Sequence, residues 1–318
     1  MDSNGPWPPP DPLGEALHLL RMDGAFYSRA ELSAPWGMTL SPMAGHLWFH
    51  VVTAGRVLLE TDDADPLWLQ PGDFALVPHG EGHRLRSEPR AAAPEVLELD
   101  LEHVSDRYEI IRHGGGGSAT TLICGAVRFD HPAARHLVAI LPRLIAIDGS
   151  DAARSRWIHG AFQLMAAEAR GFRPGGEAVI TRLADILVIQ AIRAWIETDP
   201  AARTGWLGAL QDRQIGRALA LIHRDPARAW TVEALARELA MSRSAFAARF
   251  TELVREPAMQ YVTRWRMQVA QSALAEEGAT VAELADRLGY RSEAAFARAF
   301  KRVIGVPPGA VRRQAAMA

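Results

Sequence analysis

Two stretches near the C-terminal end share one build, about fifty positions apart. The first is Val232–Ser242 followed by Arg243–Phe250; the second is Val281–Ser292 followed by Glu293–Phe300. Each reads as a short amphipathic helix, a tight turn of three or four residues, and a second helix. Val232, Leu235 and Leu239, and likewise Val281, Leu284 and Leu288, fall on one face of the first helix. Phe246 and Phe250, and Phe296 and Phe300, are i, i+4 pairs that bury one face of the second. Ala236 and Ala285 let the two helices cross closely, and Ser242 and Ser292 stand where a side-chain oxygen accepts the free amides of a first turn. One such hairpin constrains little. Two copies in register predict an all-α C-terminal domain of two helix-turn-helix units.

Between the copies, Tyr261–Ala275 predicts a linker helix with Val262, Trp265, Val269 and Ala273 buried, fixing one unit relative to the other. Two second helices held on one face fit successive major grooves of a duplex, about 34 Å apart. Because each phenylalanine pair points inward, the opposite faces must meet the groove. In the first unit that face holds Arg243, Ser244, Ala247 and Ala248; in the second, Glu293, Ala294, Ala297 and Arg298. Small residues on the first suggest close approach and contact with thymine methyls. On the second, Arg298 is placed to grip a guanine edge and Glu293 to accept from a cytosine amine. Arg249, beside Phe250, fits either a structural or a phosphate-contacting role. Charge agrees with a polyanion partner at this end: the 318-residue chain is −2 overall, but the part from Gln211 onward is +6 and residues 1–210 are −8. Of the 35 basic residues, Lys301 is the only lysine.

The N-terminal part has a different period. Leu47–Thr53, Arg56–Glu60, Leu67–Leu69, Phe74–Val77, Val96–Leu101 and Thr120–Phe129 read as short strands, separated by Gly55, an Asp62–Pro66 turn, Pro71-Gly72, Pro78–Gly82 and a Gly114–Gly117 joint. In Val96–Leu101, Leu97, Leu99 and Leu101 are expected inward. Such spacing predicts a small sandwich or barrel. Helices are expected at Pro12–Met22, Asp151–Arg170 and Glu177–Glu197, with Arg213–His223 opening the next domain. Glu177–Glu197 is apolar on two sides: Ile180, Leu183, Leu187 and Ala191 on one, Ile189, Ile192 and Ile196 on the other. A second subunit covering the second stripe and a helix sandwiched within one domain are both consistent with that pattern. The N-terminal residues lack a basic stretch followed by an apolar one, and no run of eighteen apolar residues occurs, so a soluble cytoplasmic protein without membrane contact is expected. A single cysteine, Cys124, excludes an intramolecular disulfide framework; it fits either a thiol sensor or a buried strand residue.

Over roughly residues 213–313 the sequence resembles the AraC/XylS family of regulators. The residues that carry the likeness include Trp230-Thr231-Val232, Ala236, Ser242, Phe246, Phe250, Tyr261, Arg264, Arg266, Ala270, Ala285, Gly289-Tyr290, Ser292, Phe296, Ala299-Phe300, Gly305, Pro308 and Arg312. The chain departs from the pattern at Arg255, where the family has Gly, at Ala258, where it has Pro, and at Val311, where it has an aromatic residue. The run Gly72–His83 is similar to the second cupin motif, G-x5-P-x-G-x2-H, and with Trp36 and Cys124-Gly125 it likens residues 11–200 to a cupin-type sensor domain. The resemblance implies two domains. Residues 1–205 form a cupin-like β-barrel with two packing helices that binds an effector and dimerises; residues 206–318 form a double helix-turn-helix DNA-binding domain. It marks Ser244, Ala247 and Ala248 as contact positions, and implies double-stranded DNA, a small-molecule effector, a second copy of the chain and RNA polymerase as partners.

Cupin enzymes hold a metal with three His and a Glu. Here the position of the Glu is Trp48 and no His-x-His precedes it, although His83 keeps its place. A metal set of His46, His50 and His83 can be drawn, and so can a metal-free effector pocket of Trp36, Trp48, His50 and His83. The missing ligands favour the pocket, with no cofactor and no catalysis. The alternatives are a cupin-type metalloenzyme, which leaves the two C-terminal units unexplained, and a constitutive DNA-binding protein with a purely structural barrel.

Overall fold

The computed structural model describes residues 13–14, 23–62, 64–105, 107–128, 132–149, 160–161, 163–165, 167–168, 174–276 and 278–315. The chain divides into two compact units. One is built on Leu20–Phe129 and Val138–Glu197, the other mainly on Thr198–Ala318. The expected helix Pro12–Met22 and most of Asp151–Arg170 lie outside the described residues. No helix among the described residues is long and apolar enough to cross a membrane.

The first unit contains β1 (Asp23–Ser33), β2 (Gly37–Leu40), β3 (His46–Ala54), β4 (Val57–Thr61), β5 (Leu67–Leu69), β6 (Phe74–Val77), β7 (His83–Arg86), β8 (Leu101–Ser105), β9 (Tyr108–Gly114), β10 (Ala119–Arg128) and β11 (Ile145–Ile147). They form a seven-stranded sheet ordered β11-β6-β3-β10-β1-β9-β8 and a four-stranded sheet ordered β2-β7-β4-β5. β3 shows why the larger sheet is so apolar. Trp48, His50 and Val52 belong to one face and Leu47, Phe49 and Val51 to the other, and all six are buried. A strand covered on both faces reads as a continuous apolar run rather than an alternation. One face joins Trp48, Val52, Ala75, Val77, Leu122, Cys124 and Ala126 to Met38, Leu40, Leu59 and Leu85 of the smaller sheet, and to Trp36 just ahead of β2, in a single core. On the other, the Phe49 ring stacks on Phe74 with centroids 6.1 Å apart.

Val96–Leu101 is not a strand. Val96–Glu98 is a 3-10 turn, and β8 starts only at Leu101. Glu98 donates its amide to Glu95 and Leu99 to Val96, so Val96 and Leu99, three apart, pack against the core while Leu97 is 78% exposed. The residues alternate, but the turn's three-residue period decides which are buried. Of the two readings open for the second stripe of the long helix, burial supports cover within one chain. The helix runs Gly176–Thr198, and Ile192 and Ile196 are buried within one chain, with Ile189 half-buried. Val179 and Ile186, not that stripe, are its exposed apolar residues.

Helices are numbered α1 (Pro132–Ala139), α2 (Gly176–Thr198), α3 (Gly205–Gln211), α4 (Arg213–Arg224), α5 (Val232–Glu238), α6 (Arg243–Val254), α7 (Ala258–Glu276), α8 (Val281–Arg287), α9 (Glu293–Ile304) and α10 (Pro308–Ala315). In the second unit, α5-turn-α6 and α8-turn-α9 are the two hairpins read from the sequence. Thr231 and Thr280 cap α5 and α8, the latter with Glu283 in a capping box. Both turns pass through the left-handed region directly after the last leucine, at Ala240 (φ 52°) and Gly289 (φ 73°). That puts Met241 N on Ala236 O at 2.9 Å, and Tyr290 N on Ala285 O at 2.8 Å. The two units therefore share one turn geometry despite differing by a residue. α7 serves both cores. Tyr261, Val262 and Trp265 are buried toward its start, and Met267, Ala270, Ala273 and Leu274 join Phe296 and Phe300 toward its end. α3 packs on α4 and α6. Trp206 on α3 donates its indole N–H to the Tyr261 hydroxyl at 2.8 Å.

Candidate functional site

Each second helix is aimed by its cap and its phenylalanines. Ser242 accepts the Ala245 amide and Ser292 the Ala295 amide, both at 3.2 Å. Phe246, Phe250, Phe296 and Phe300 are fully buried. On α6 this leaves Arg243, Ser244, Ala248 and Arg249 exposed and Ala247 half-exposed. On α9 it leaves Glu293, Ala294 and Arg298 exposed and Ala297 half-exposed. The nine residues chosen from the sequence thus lie on the outer sides of the two helices.

Their engagements differ. Arg243 Nε pairs with Glu233 Oε1 of α5 at 2.8 Å. Arg249 reaches Asp212, Nη2 to Oδ2 at 2.5 Å, while the other Asp212 oxygen accepts the Gln214 and Ile215 amides at the start of α4. Partial burial works against the Asp212 charge, but the Arg249 hydrogen bond and the two amides outweigh it, and its pKa is lowered. Asp212 therefore ties α6 to the α3–α4 junction. The repeat supports this geometry: the position equivalent to Arg249 is Ala299, which is buried. Of the two roles open to Arg249, the ion pair supports the structural one. Arg298 has no carboxylate partner among the described residues. The family-matching Arg264 and Arg266 also act internally: Arg264 pairs with Glu256 at 2.6 Å, and Arg266 donates to the carbonyls of Pro226 and Arg228. The sequence reading missed Asp212 and Glu233; an Asp directly ahead of α4 was the visible signal for the first.

In the barrel, Trp36, Trp48, His50 and His83 are all buried, and the hydrogen bonds of the two imidazoles fix their ring hydrogens. Gly80, at φ 64°, lets the β6–β7 loop press onto the Met43 carbonyl, where a Cβ would lie 2.0 Å away, and this loop delivers His83. His83 Nδ1 sits 3.1 Å from the Glu81 carbonyl oxygen, which only accepts, so Nδ1 carries a hydrogen. Burial lowers the His83 pKa to about 4, so the ring is neutral and Nε2 is bare. His50 Nε2–H donates to it at 2.7 Å. Burial, and then His83, lower the His50 pKa as well. Its Nδ1 is consequently free to accept from the Cys124 thiol at 3.1 Å, whose pKa burial raises to about 12. The Cys124 thiol, the His50 and His83 imidazoles and the Glu81 backbone carbonyl form one directed chain in which each group has a partner of the right polarity. Trp48 packs edge-on against His83, centroids 5.7 Å apart.

His46 does not join them. It begins β3, four residues and about 13 Å of strand from His50, and its Nδ1 lies 3.2 Å from the Ala44 carbonyl oxygen. No three His, Cys, Asp or Glu side chains among the described residues converge as metal ligands. The two imidazole Nε2 atoms face each other rather than a shared centre, so the residues present do not fit a cupin metal.

Comparisons with known proteins bear on both units. The sequence profile of a family described as Cupin matches residues 11–197, and one described as Helix-turn-helix domain matches residues 235–314. A Streptomyces lividans protein named as an AraC-like transcription regulator is 35% identical over 320 residues, covering 96% of this chain and 99% of its own. The HTH-type transcriptional regulator AlkR of Acinetobacter baylyi is 30% identical, covering 96% and 99%. Among solved structures, the DNA-binding domain of AdpA in complex with a target DNA is 31% identical, covering 32% of this chain and 89% of its own, with a TM-score of 0.30. With full-length relatives that are regulators rather than enzymes, the chain belongs to the AraC family of DNA-binding transcription regulators, with a cupin domain ahead of its helix-turn-helix pair.

Proposed function

We propose that this regulator is sequence-specific and effector-responsive. On this reading residues 1–205 sense a small molecule in the cytoplasm and dimerise, and residues 206–318 read the operator. The single observation that carries the DNA half is the pair of capped helices, α6 and α9, each burying two phenylalanines and turning Ser244, Ala247 and Ala248, or Glu293, Ala294, Ala297 and Arg298, outward. Helix N-termini so presented meet base edges in the major groove. For the barrel half, the support is an apolar interior with few polar groups. The indole N–H groups of Trp36 and Trp48 are buried and have no hydrogen-bond partner among the described residues. A buried donor left unpaired costs about 1–3 kcal/mol. An effector that offers acceptors on an apolar frame would recover that cost.

Footprinting the full chain on its genomic DNA, with and without candidate effectors, tests the reading. A monomer spans two adjacent major grooves and so about two helical turns, and a dimer protects twice that length. The reading expects sharp sites whose occupancy changes with one effector. Sites of single length contradict the dimer, and occupancy indifferent to every effector and to Trp48→Phe contradicts sensing.

A further inference from the structure

The two recognition helices share a backbone plan but not a charge plan. Aligned on Phe246/Phe296 and Phe250/Phe300, the exposed positions Ala248, Thr251 and Glu252 of α6 correspond to Arg298, Lys301 and Arg302 of α9. The two cations that α6 does carry are already engaged, Arg243 by Glu233 and Arg249 by Asp212. On α9, Arg298, Lys301 and Arg302 have no carboxylate partner among the described residues. The outer side of α6 therefore presents small neutral residues, two arginines already paired with carboxylates, and the acid Glu252, which interacts with Arg249. That of α9 presents three cations without a carboxylate partner among the described residues, against the single acid Glu293.

Position along the helix separates the roles of those cations. Base edges are met by residues of a recognition helix's first turns. Lys301 and Arg302 follow Glu293 by eight and nine residues, about 12 Å along the axis. That is past the groove floor and beside the phosphates, the contacts that orient a protein without reading sequence. Resting on the assignment of α6 and α9 to the major groove, we infer that the two units divide the work. The α8–α9 unit anchors the protein electrostatically through Lys301 and Arg302. The α5–α6 unit contributes little charge neutralisation and reads its half of the operator through the close apolar fit of Ala247 and Ala248.

Counterion release makes this measurable, because each phosphate neutralised contributes about 0.9 to the slope of log affinity against log salt on duplex DNA. The probe is a random-sequence duplex of about 30 base pairs, long enough for two adjacent major grooves. With the full chain, Lys301→Gln/Arg302→Gln should lower the slope by about 1.8 and weaken binding to every sequence alike. Thr251→Lys/Glu252→Arg, which gives α6 the charges of α9, should steepen it. A double variant with the wild-type slope overturns the inference while leaving DNA binding intact. A wild-type chain that binds no duplex at any salt overturns the groove assignment as well. A second readout needs no substitution: Lys301 is the only lysine in the chain, so an amine-reactive label should be excluded from it by bound duplex at low salt and readmitted at high salt. Full labelling of Lys301 in the bound complex contradicts the anchoring role.

Discussion

Two imidazoles inside an apolar barrel stay buried because each ring nitrogen has one partner of the right polarity. The Glu81 carbonyl sets the His83 tautomer, His83 sets that of His50, and His50 takes the Cys124 hydrogen. Protonating His83 at Nε2 would place an uncompensated charge beside Trp48 and break the 2.7 Å link between the rings, and protonating His50 at Nδ1 would break its link to the Cys124 thiol. The pH dependence has a definite sign. The unfolded His83 titrates near 6.5 and the folded one at about 4, so between these values the unfolded chain holds a proton that the folded chain does not. The stabilisation is complete above the unfolded value and is lost as pH falls toward the folded one. A shift of that size corresponds to about 3 kcal/mol, and His50, also lowered, acts in the same direction. Denaturant titrations followed by the barrel tryptophans should show the midpoint falling between pH 6.5 and 4, and a flat midpoint would contradict the buried pair. The raised thiol pKa also argues that Cys124 is held as a hydrogen-bond donor rather than as a reactive thiolate.

At the scale of elements, the two helical hairpins make an internal comparison. α9 ends on Gly305 at φ 90° and α6 on Arg255 at φ 66°. A side chain in the left-handed region costs on the order of 1 kcal/mol, so Arg255→Gly should stabilise the second unit by about that amount. A thermal midpoint that is unchanged or lower would refute the strain. Where the sequence could be read and where it could not follows one physical rule. The hairpins, caps and linker helix were readable because their apolar residues recur at the helical period and their caps are local. β3 to β6 were readable because apolar runs stand between turn residues. Val96–Leu101 misled because its alternation had no sheet neighbour to fix it; the chain turned instead. β1, β2, β7 and β9 carry polar residues such as Arg29, Glu31, Thr39, Arg84 and Glu109 in their strands, so their apolar pattern is broken, and only pairing across the sheets identifies them. In the barrel, His83 followed from its motif, whereas the link from His50 to Cys124 joins residues 74 positions apart through the β3–β10 register.

For the whole molecule, the −8 of residues 1–210 and the +6 of residues 211–318 acquire a structural meaning only at this level of detail. Much of the positive charge of the second unit is spent internally: Arg228 on Glu238, Arg243 on Glu233, Arg249 on Asp212 and Arg264 on Glu256. Among the described residues, the recognition-helix cations without a carboxylate partner lie on α9. Net charge brought attention to the C-terminal third, but ion pairing decides which arginines are free to meet DNA. The central claim is that the outer faces of α6 and α9 read base pairs, with Arg298 as the long donor to a guanine edge. It is tested most directly by measuring affinities of Arg298→Ala, and of Arg313→Ala at an exposed arginine of α10 outside both recognition helices, for every single-base variant of a selected operator. A bidentate arginine contact carries about 1–3 kcal/mol of discrimination. The account predicts that Arg298→Ala loses that discrimination at one base pair and keeps the rest, while Arg313→Ala weakens all variants equally. If Arg298→Ala instead lowers every variant by the same factor, Arg298 touches only the backbone and the recognition faces are wrongly assigned.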